Sequence, residues 1–308
     1  MIYVELVAGL ILLVVGGDLL VRGAVGTARH MGVSPLLIGL TLVGFGTSTP
    51  ELVTSVEAAL LNSPGIAVGN VVGSNIANIL LILGLAAVLS PLGTPKNGFR
   101  RDSIMLIIAT SACTAVVLAG YLDRMSGAIL VAMLISYVIF TYFRERVSET
   151  QDSPQEKPMA LRLSVVLALG GLVLVILGAG LLVDAAIGLA KAVGISETII
   201  GLTIVAVGTS LPELITSIMA AIRKQTDVAY GNIVGSNIYN VLGILGVTAL
   251  VQPIEVPAEI IRLDIWVMIA ATMLMLLFAA TSWRVNRLEG ATFLAAYCAY
   301  IGYLAYTM

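Results

Sequence analysis

An acidic residue recurs at a fixed offset inside two apolar stretches of this chain, and no other feature limits the fold so tightly. GFGTSTPE (44–51) leads into GNVVGSNIAN (69–78), and AVGTSLPE (206–213) leads into GNIVGSNIYN (231–240). One offset of 162 residues carries Glu51 to Glu213, Thr47 to Thr209, Pro50 to Pro212, Ser74 to Ser236 and Asn78 to Asn240. It also carries Gly16 to Gly178, Gly32-Val33-Ser34 to Gly194-Ile195-Ser196, Gly39 to Gly201, Gly84 to Gly246, Pro91 to Pro253 and Asp102 to Asp264. The chain is an internal duplication, and each copy holds an acid where lipid would otherwise be its solvent.

Composition sets that solvent. Of 308 residues, 59% are hydrophobic and 11% charged. A soluble domain carries roughly 25% charged residues to coat its surface. This is therefore an all-α polytopic membrane protein. A span needs about 20 mostly apolar residues, and ten segments qualify: 2–21, 35–61, 66–90, 103–120, 126–143, 163–184, 197–222, 228–251, 265–282 and 290–307. The polar stretch 144–162 divides them into a first five-span repeat, 1–143, and a second, 163–308. That linker is too short to fold as a domain, which takes about 50 residues. Five is odd, so the second copy enters the membrane inverted, a common plan among secondary transporters. Loops on the side reached after the first span hold 13 of the 16 Lys and Arg residues. The expectation is a plasma-membrane protein with that side, including the 144–162 loop, in the cytoplasm and both termini outside. The start MIYVEL lacks a basic n-region and reads as the opening of a span, not a cleaved leader.

An acid at mid-membrane costs roughly 2.5–3.5 kcal/mol on insertion scales, so two at matched positions call for compensation. Pro50 and Pro212 each remove a backbone donor next to the acid, and Gly44, Gly46 and Gly208 loosen the chain before it. Both acid-bearing helices should break and leave carbonyls bare, which lipid tolerates only around a protein-enclosed cavity. Thr47, Ser48, Thr209 and Ser210 add hydroxyls. Ser74 and Asn78 lie four apart, as do Ser236 and Asn240, so each pair shares a helix face. The donors are carboxylates, amides, hydroxyls and carbonyls, a set that suits a hard cation such as Ca²⁺. Zn²⁺ or Cu⁺ would call for His or Cys. Cys113 and Cys298 have no CxxC spacing and make neither a disulfide framework nor a zinc site.

The paired GTSxPE and GNxxGSNxxN motifs resemble the two alpha repeats of the sodium/calcium exchanger family, within the calcium/cation antiporter superfamily, and the likeness covers nearly the whole chain. It implies a diamond of Glu51, Asn78, Glu213 and Asn240 at the membrane centre. Ca²⁺ would rest on the two glutamates and on carbonyls of Thr47 and Thr209. Na⁺ would use these with Gly44, Ser48, Ser74, Ala206, Ser210 and Ser236. The resemblance further implies alternating access, with spans one and six sliding over a fixed core, and three Na⁺ exchanged for one Ca²⁺. Gly9, Gly16, Gly17, Gly170, Gly171, Gly178 and Gly180 suit such sliding by giving small contact surfaces. Some microbial members carry Asp where this chain has Asn240, so one titratable group is missing here.

Other readings stay open at this point. Coupling to H⁺ or K⁺ would use the same carboxylates, and a cation channel would use the same oxygens without counter-transport. The glutamates could be protonated structural groups, and the asparagines could serve only to join helices. There is no P-loop for ATP drive, no HExxH or nucleophile–base pair for an enzyme, and no basic stripe for nucleic acid. Beyond Ca²⁺, Na⁺ and the bilayer, no cofactor and no obligate protein partner is expected. Asp18 and Asp184 read as interfacial, and His30 as a solvated loop residue.

Overall fold

Local sequence sets where each helix starts, bends and stops, and a computed structural model describes residues 2–94, 96–144, 159–192 and 206–307. Helix α1 (Ile2–Met31) runs ten residues past its expected end and stops where Gly32 turns the chain at φ +61°. Ser34 then caps α2 (Pro35–Thr47), its hydroxyl accepting from Leu37 N, and α2 hands over to α3 (Thr49–Leu60) through a 44° bend. There follow α4 (Pro64–Leu89), α5 (Lys96–Ala119), α6 (Arg124–Arg144) and α7 (Leu161–Ala192). The second copy resumes with α8 (Ala206–Thr209) and α9 (Leu211–Ile222), then α10 (Thr226–Val251), α11 (Ile260–Thr281) and α12 (Arg287–Thr307). Among the described residues seven helices are long and apolar enough to cross a membrane, or eight if the bent pair α2–α3 is one span. The beginning of the predicted span 197–222, the matches at 194–196 and 201, and most of the 144–162 linker lie outside the described residues.

Glycine spacing dictates how α1 meets α7. Gly9, Gly16 and Gly23 recur every seven residues, as do Ser164, Gly171 and Gly178, so each set forms one seam. The helices run antiparallel, with Gly9 against Gly178, Gly16 against Gly171 and Gly23 against Ser164. A Cβ on Gly16 would sit 2.8 Å from Val175 N, so only glycine permits this approach. Gly17 faces Ile215 and Met219 of α9 instead, and Gly170 and Gly180 meet no described atom, so those three do not belong to the seam. Midway along α1, Asp18 bonds Arg22 at 3.0 Å and pairs with Arg223 just past α9, which ties the two elements together. His30 lies in the last turn of α1, bonded to Met159 O, and not in a loop.

The centre belongs to α4 and α10. Within their apolar windows 72% and 83% of residues are buried, against 28% for α6 and α7, which therefore face lipid. Each central helix packs on a helix of the other copy. Gly84 of α4 and Gly290 of α12 approach backbone to backbone, and Gly246 of α10 and Gly127 of α6 repeat the contact. Two short strand pairs follow suit: β1 (Leu92–Gly93) with β4 (Arg284–Val285), and β2 (Tyr121–Leu122) with β3 (Ile254–Glu255), both antiparallel. The 162-residue offset takes Leu92 to Ile254, and Leu92 pairs with Val285 as Ile254 pairs with Leu122, so one strand pair is the image of the other within a residue.

Candidate cation site

Two helix breaks build the site. Ser48, between α2 and α3, has φ −80° and ψ 11°, and Ser210, between α8 and α9, has φ −88° and ψ 6°. Pro50 and Pro212 fall in the first turn beyond, where a missing N–H costs nothing. Glu51 and Glu213 occupy that same turn. There the positive end of the helix dipole favours a carboxylate, while the preceding half-helix turns its negative, carbonyl end toward the break. Both acids are 1% exposed.

The acids are bonded across the duplication, not within it. Ser48 Oγ donates to Glu213 Oε1 at 2.7 Å, and Ser210 Oγ donates to Glu51 Oε1 at 3.0 Å. Glu51 Oε2 and Glu213 Oε2 are buried without a partner, and so are Asn78 Nδ2 and Asn240 Oδ1. An unsatisfied buried polar atom costs about 1–3 kcal/mol, and four on two acids and two amides mark a place for a ligand that bonds to oxygen. Turning the Asn78 amide over exchanges its N for an O, so both amides can present oxygen to the same point.

The amides stand on local distortions. A π-helical segment begins at Asn78 (Asn78–Leu83) and another at Asn240 (Asn240–Leu245), and such widened turns gather at functional positions. A third, Gly39–Val43, precedes Gly44, whose carbonyl accepts from Ser236 Oγ at 3.3 Å. Thr47 is fully buried, its hydroxyl bonded to Val43 O at 3.0 Å. Thr209 and Ala206 hold the matching places on α8, and Ser74 the matching place on α4. Among the described residues no three His, Cys, Asp or Glu side chains gather. A cation here would meet carboxylates, amides, hydroxyls and carbonyls.

Sequence reasoning missed Asn70, Asn232, Ser55 and Ser217. Asn70 Nδ2 donates to Glu51 O at 3.0 Å and to Ser55 Oγ at 2.9 Å. Asn232 Nδ2 donates to Glu213 O at 3.3 Å and to Ser217 Oγ at 2.9 Å. The signal was present: Asn70, Ser74 and Asn78 are spaced by four, and the offset maps all of these residues onto one another. A cavity of about 340 Å³ reaches Ser74 and Ser210 and runs past Asn70 and Tyr300 toward the C-terminal end of α12. A larger open groove, about 1110 Å³ between α5 and α6, lies away from these residues.

The family described as sodium/calcium exchanger protein matches residues 1–143 and 163–306. The chain belongs to that family. It is 33% identical over 349 residues to the sodium/calcium exchanger MaX1 of Methanosarcina acetivorans, covering 99% of this chain and 98% of that one. It is 36% identical over 288 residues to the inner membrane protein YrbG of Escherichia coli, covering 91% and 88%. A solved structure of the sodium-calcium exchanger NCX_Mj superposes with a TM-score of 0.88 at 37% identity, covering 98% of both chains. As a member of the sodium/calcium exchanger family the chain is a multi-pass membrane antiporter, a transporter and not an enzyme.

Proposed function

We propose that the chain exchanges Ca²⁺ for Na⁺ by alternating access, both ions binding as substrates between the two broken helices. The observation that carries this is the quartet of buried atoms without partners on Glu51, Glu213, Asn78 and Asn240. Oxygen ligands on flexible backbone suit Ca²⁺, which takes six to eight of them. In this reading the two glutamates bear the calcium with the Thr47 and Thr209 carbonyls. Gly44, Ser48, Ser74, Ala206, Ser210 and Ser236 complete the sodium sites. The names of MaX1 and NCX_Mj favour the same pair of ions.

The architecture proposed with it is ten spans in two inverted five-span repeats. It is supported by the 162-residue duplication, the paired breaks at Ser48 and Ser210, and the mirrored strand pairs. The Lys/Arg census supports termini outside and the 144–162 loop in the cytoplasm of a plasma-membrane protein. Two ionised glutamates neutralise one Ca²⁺ and leave three Na⁺ with one net charge. Exchange in that ratio is electrogenic, worth about 2.3 kcal/mol per 100 mV. The cycle needs no cofactor and no obligate protein partner.

Radioactive calcium uptake into proteoliposomes, with sodium, potassium and proton gradients imposed separately, tests the proposal. Uptake should require an opposing sodium gradient and respond to membrane potential. Uptake driven by a proton or potassium gradient alone would replace Na⁺ as the coupling ion, and flux without counter-transport would indicate a channel.

A further inference from the structure

We infer that Asn70 and Asn232 are positioning residues, each clamping an acid-bearing half-helix to the helix that carries the site's amide. The inference rests on the proposed cation site and adds the device that sets its dimensions. A carboxamide has two N–H donors. Asn70 places donors on the Glu51 carbonyl and the Ser55 hydroxyl, and Asn232 on the Glu213 carbonyl and the Ser217 hydroxyl. Each pair of acceptors belongs to residues four apart, so one amide straddles the first turn of a half-helix. Contact at two points along that turn resists both sliding and rotation, which a single hydrogen bond would not.

The clamp acts on the acids themselves. The carbonyl it takes belongs to Glu51 or Glu213, already in use by the helix, so the bond is additional and not a rescue of an orphan. At its other end the clamp shares a rod with the ligands. Asn70, Ser74 and Asn78 lie on one face of α4, and Asn232, Ser236 and Asn240 on one face of α10. Eight residues of helix put clamp and amide about 12 Å apart. Locking the acid's backbone to one end of that rod fixes the carboxylate relative to the amide near the other. Ser217 and Asn232 are fully buried, so water does not compete for their bond, while Asn70 is part-buried beside the cavity. Asn232 reaches further: its Oδ1 lies 3.3 Å from Thr47 Oγ1, so one side chain touches α2, α9 and α10. The Thr47 carbonyl of one repeat and the Glu213 carboxylate of the other are thereby held in common register. A cation that needs both at once depends on that register, because displacements near 1 Å are enough to spoil a preorganised site.

The test is calcium binding by the purified, full-length protein, read by isothermal titration and by the Ca²⁺-induced rise in melting temperature. The variants are Asn232→Ala, Asn70→Ala, Asn232→Asp, Ser217→Ala and Glu51→Gln. Asn232→Ala should raise the half-saturating Ca²⁺ concentration at least tenfold and erase most of the Ca²⁺-induced thermal shift. Its melting temperature in chelator should stay within a few degrees of wild type. Asn70→Ala should act in the same direction. Asn232→Asp keeps the shape but not the donors and should fail to rescue, and Ser217→Ala, which cuts one leg of the clamp, should fall between. Unchanged affinity in both alanine variants while Glu51→Gln abolishes binding would overturn the clamp alone. Weakened binding tracked in every variant by an equal fall of the melting temperature in chelator would also overturn it, as a merely structural role. Undiminished binding in Glu51→Gln would overturn the cation site and the clamp with it.

Discussion

Replacing Glu213 by Gln isolates the charge from the shape. The amide oxygen can still accept from Ser48 Oγ, which now donates to Glu213 Oε1 at 2.7 Å, so the cross-repeat bond survives. The amide nitrogen takes the place of Oε2, which has no partner to lose. Folding should therefore change little. The proposed ion site would lose one of its two negative charges. At about 4 Å and an effective dielectric near 20, one unit charge attracts another by about 4 kcal/mol, and a divalent ion by about twice that. Water drawn in as a substitute ligand offsets part of this, so about 4 kcal/mol is the expected net loss for Ca²⁺, near a thousandfold in affinity. Sodium loses about half as much per ion. Calcium uptake by reconstituted protein, paired with thermal unfolding in chelator, measures both sides. Wild-type uptake in Glu213→Gln would refute the electrostatic reasoning, and so would a variant that loses uptake only because it no longer folds.

Protons and cations compete for the same carboxylate oxygens, so lowering pH should raise the half-saturating Ca²⁺ concentration and raising pH should restore it. Flux measured at stepped pH with Ca²⁺ varied checks this, and a half-saturation flat through the acid range would count against competition. Gly16→Leu should drive α1 from α7, since even a Cβ there meets Val175 N at 2.8 Å. A loss of about 1–3 kcal/mol is expected, with Gly170→Ala, which meets no described atom, as the neutral control in the same melting assay. Lys224 sits at φ +58° just past α9, so Lys224→Gly should relieve about 1 kcal/mol of left-handed strain and raise the melting temperature.

Much of the site was legible because its causes are local. Proline can start a helix but not continue one, and the breaks at Ser48 and Ser210 fall just before Pro50 and Pro212 as expected. Buried acids in an apolar chain announce a function without reference to neighbours. The second copy of each motif singled out Asn78 and Asn240 as candidates to stand with Glu51 and Glu213. Spacing by four put Asn70 and Asn232 on the face of the site amides, but their bonds to a carbonyl and a hydroxyl of another helix exist only in the packed fold.

The amino-acid sequence alone determined the solvent, the duplication, the breaks and the oxygen-rich chemistry, since each follows from residue type and spacing. Only the tertiary structure decided that Ser48 bonds Glu213 and Ser210 bonds Glu51, and that Gly16 of α1 meets α7 while Gly170 of α7 meets no described atom. It also showed where the copies part: Phe45 and Tyr239 stack with centroids 4.5 Å apart, while their offset partners Val207 and Ala77 line the cavity. A helix bathed in lipid can be apolar on every face, so its own pattern does not say which face meets protein. That choice falls to packing between small residues and to hydrogen bonds, and both exist only once the two halves have come together.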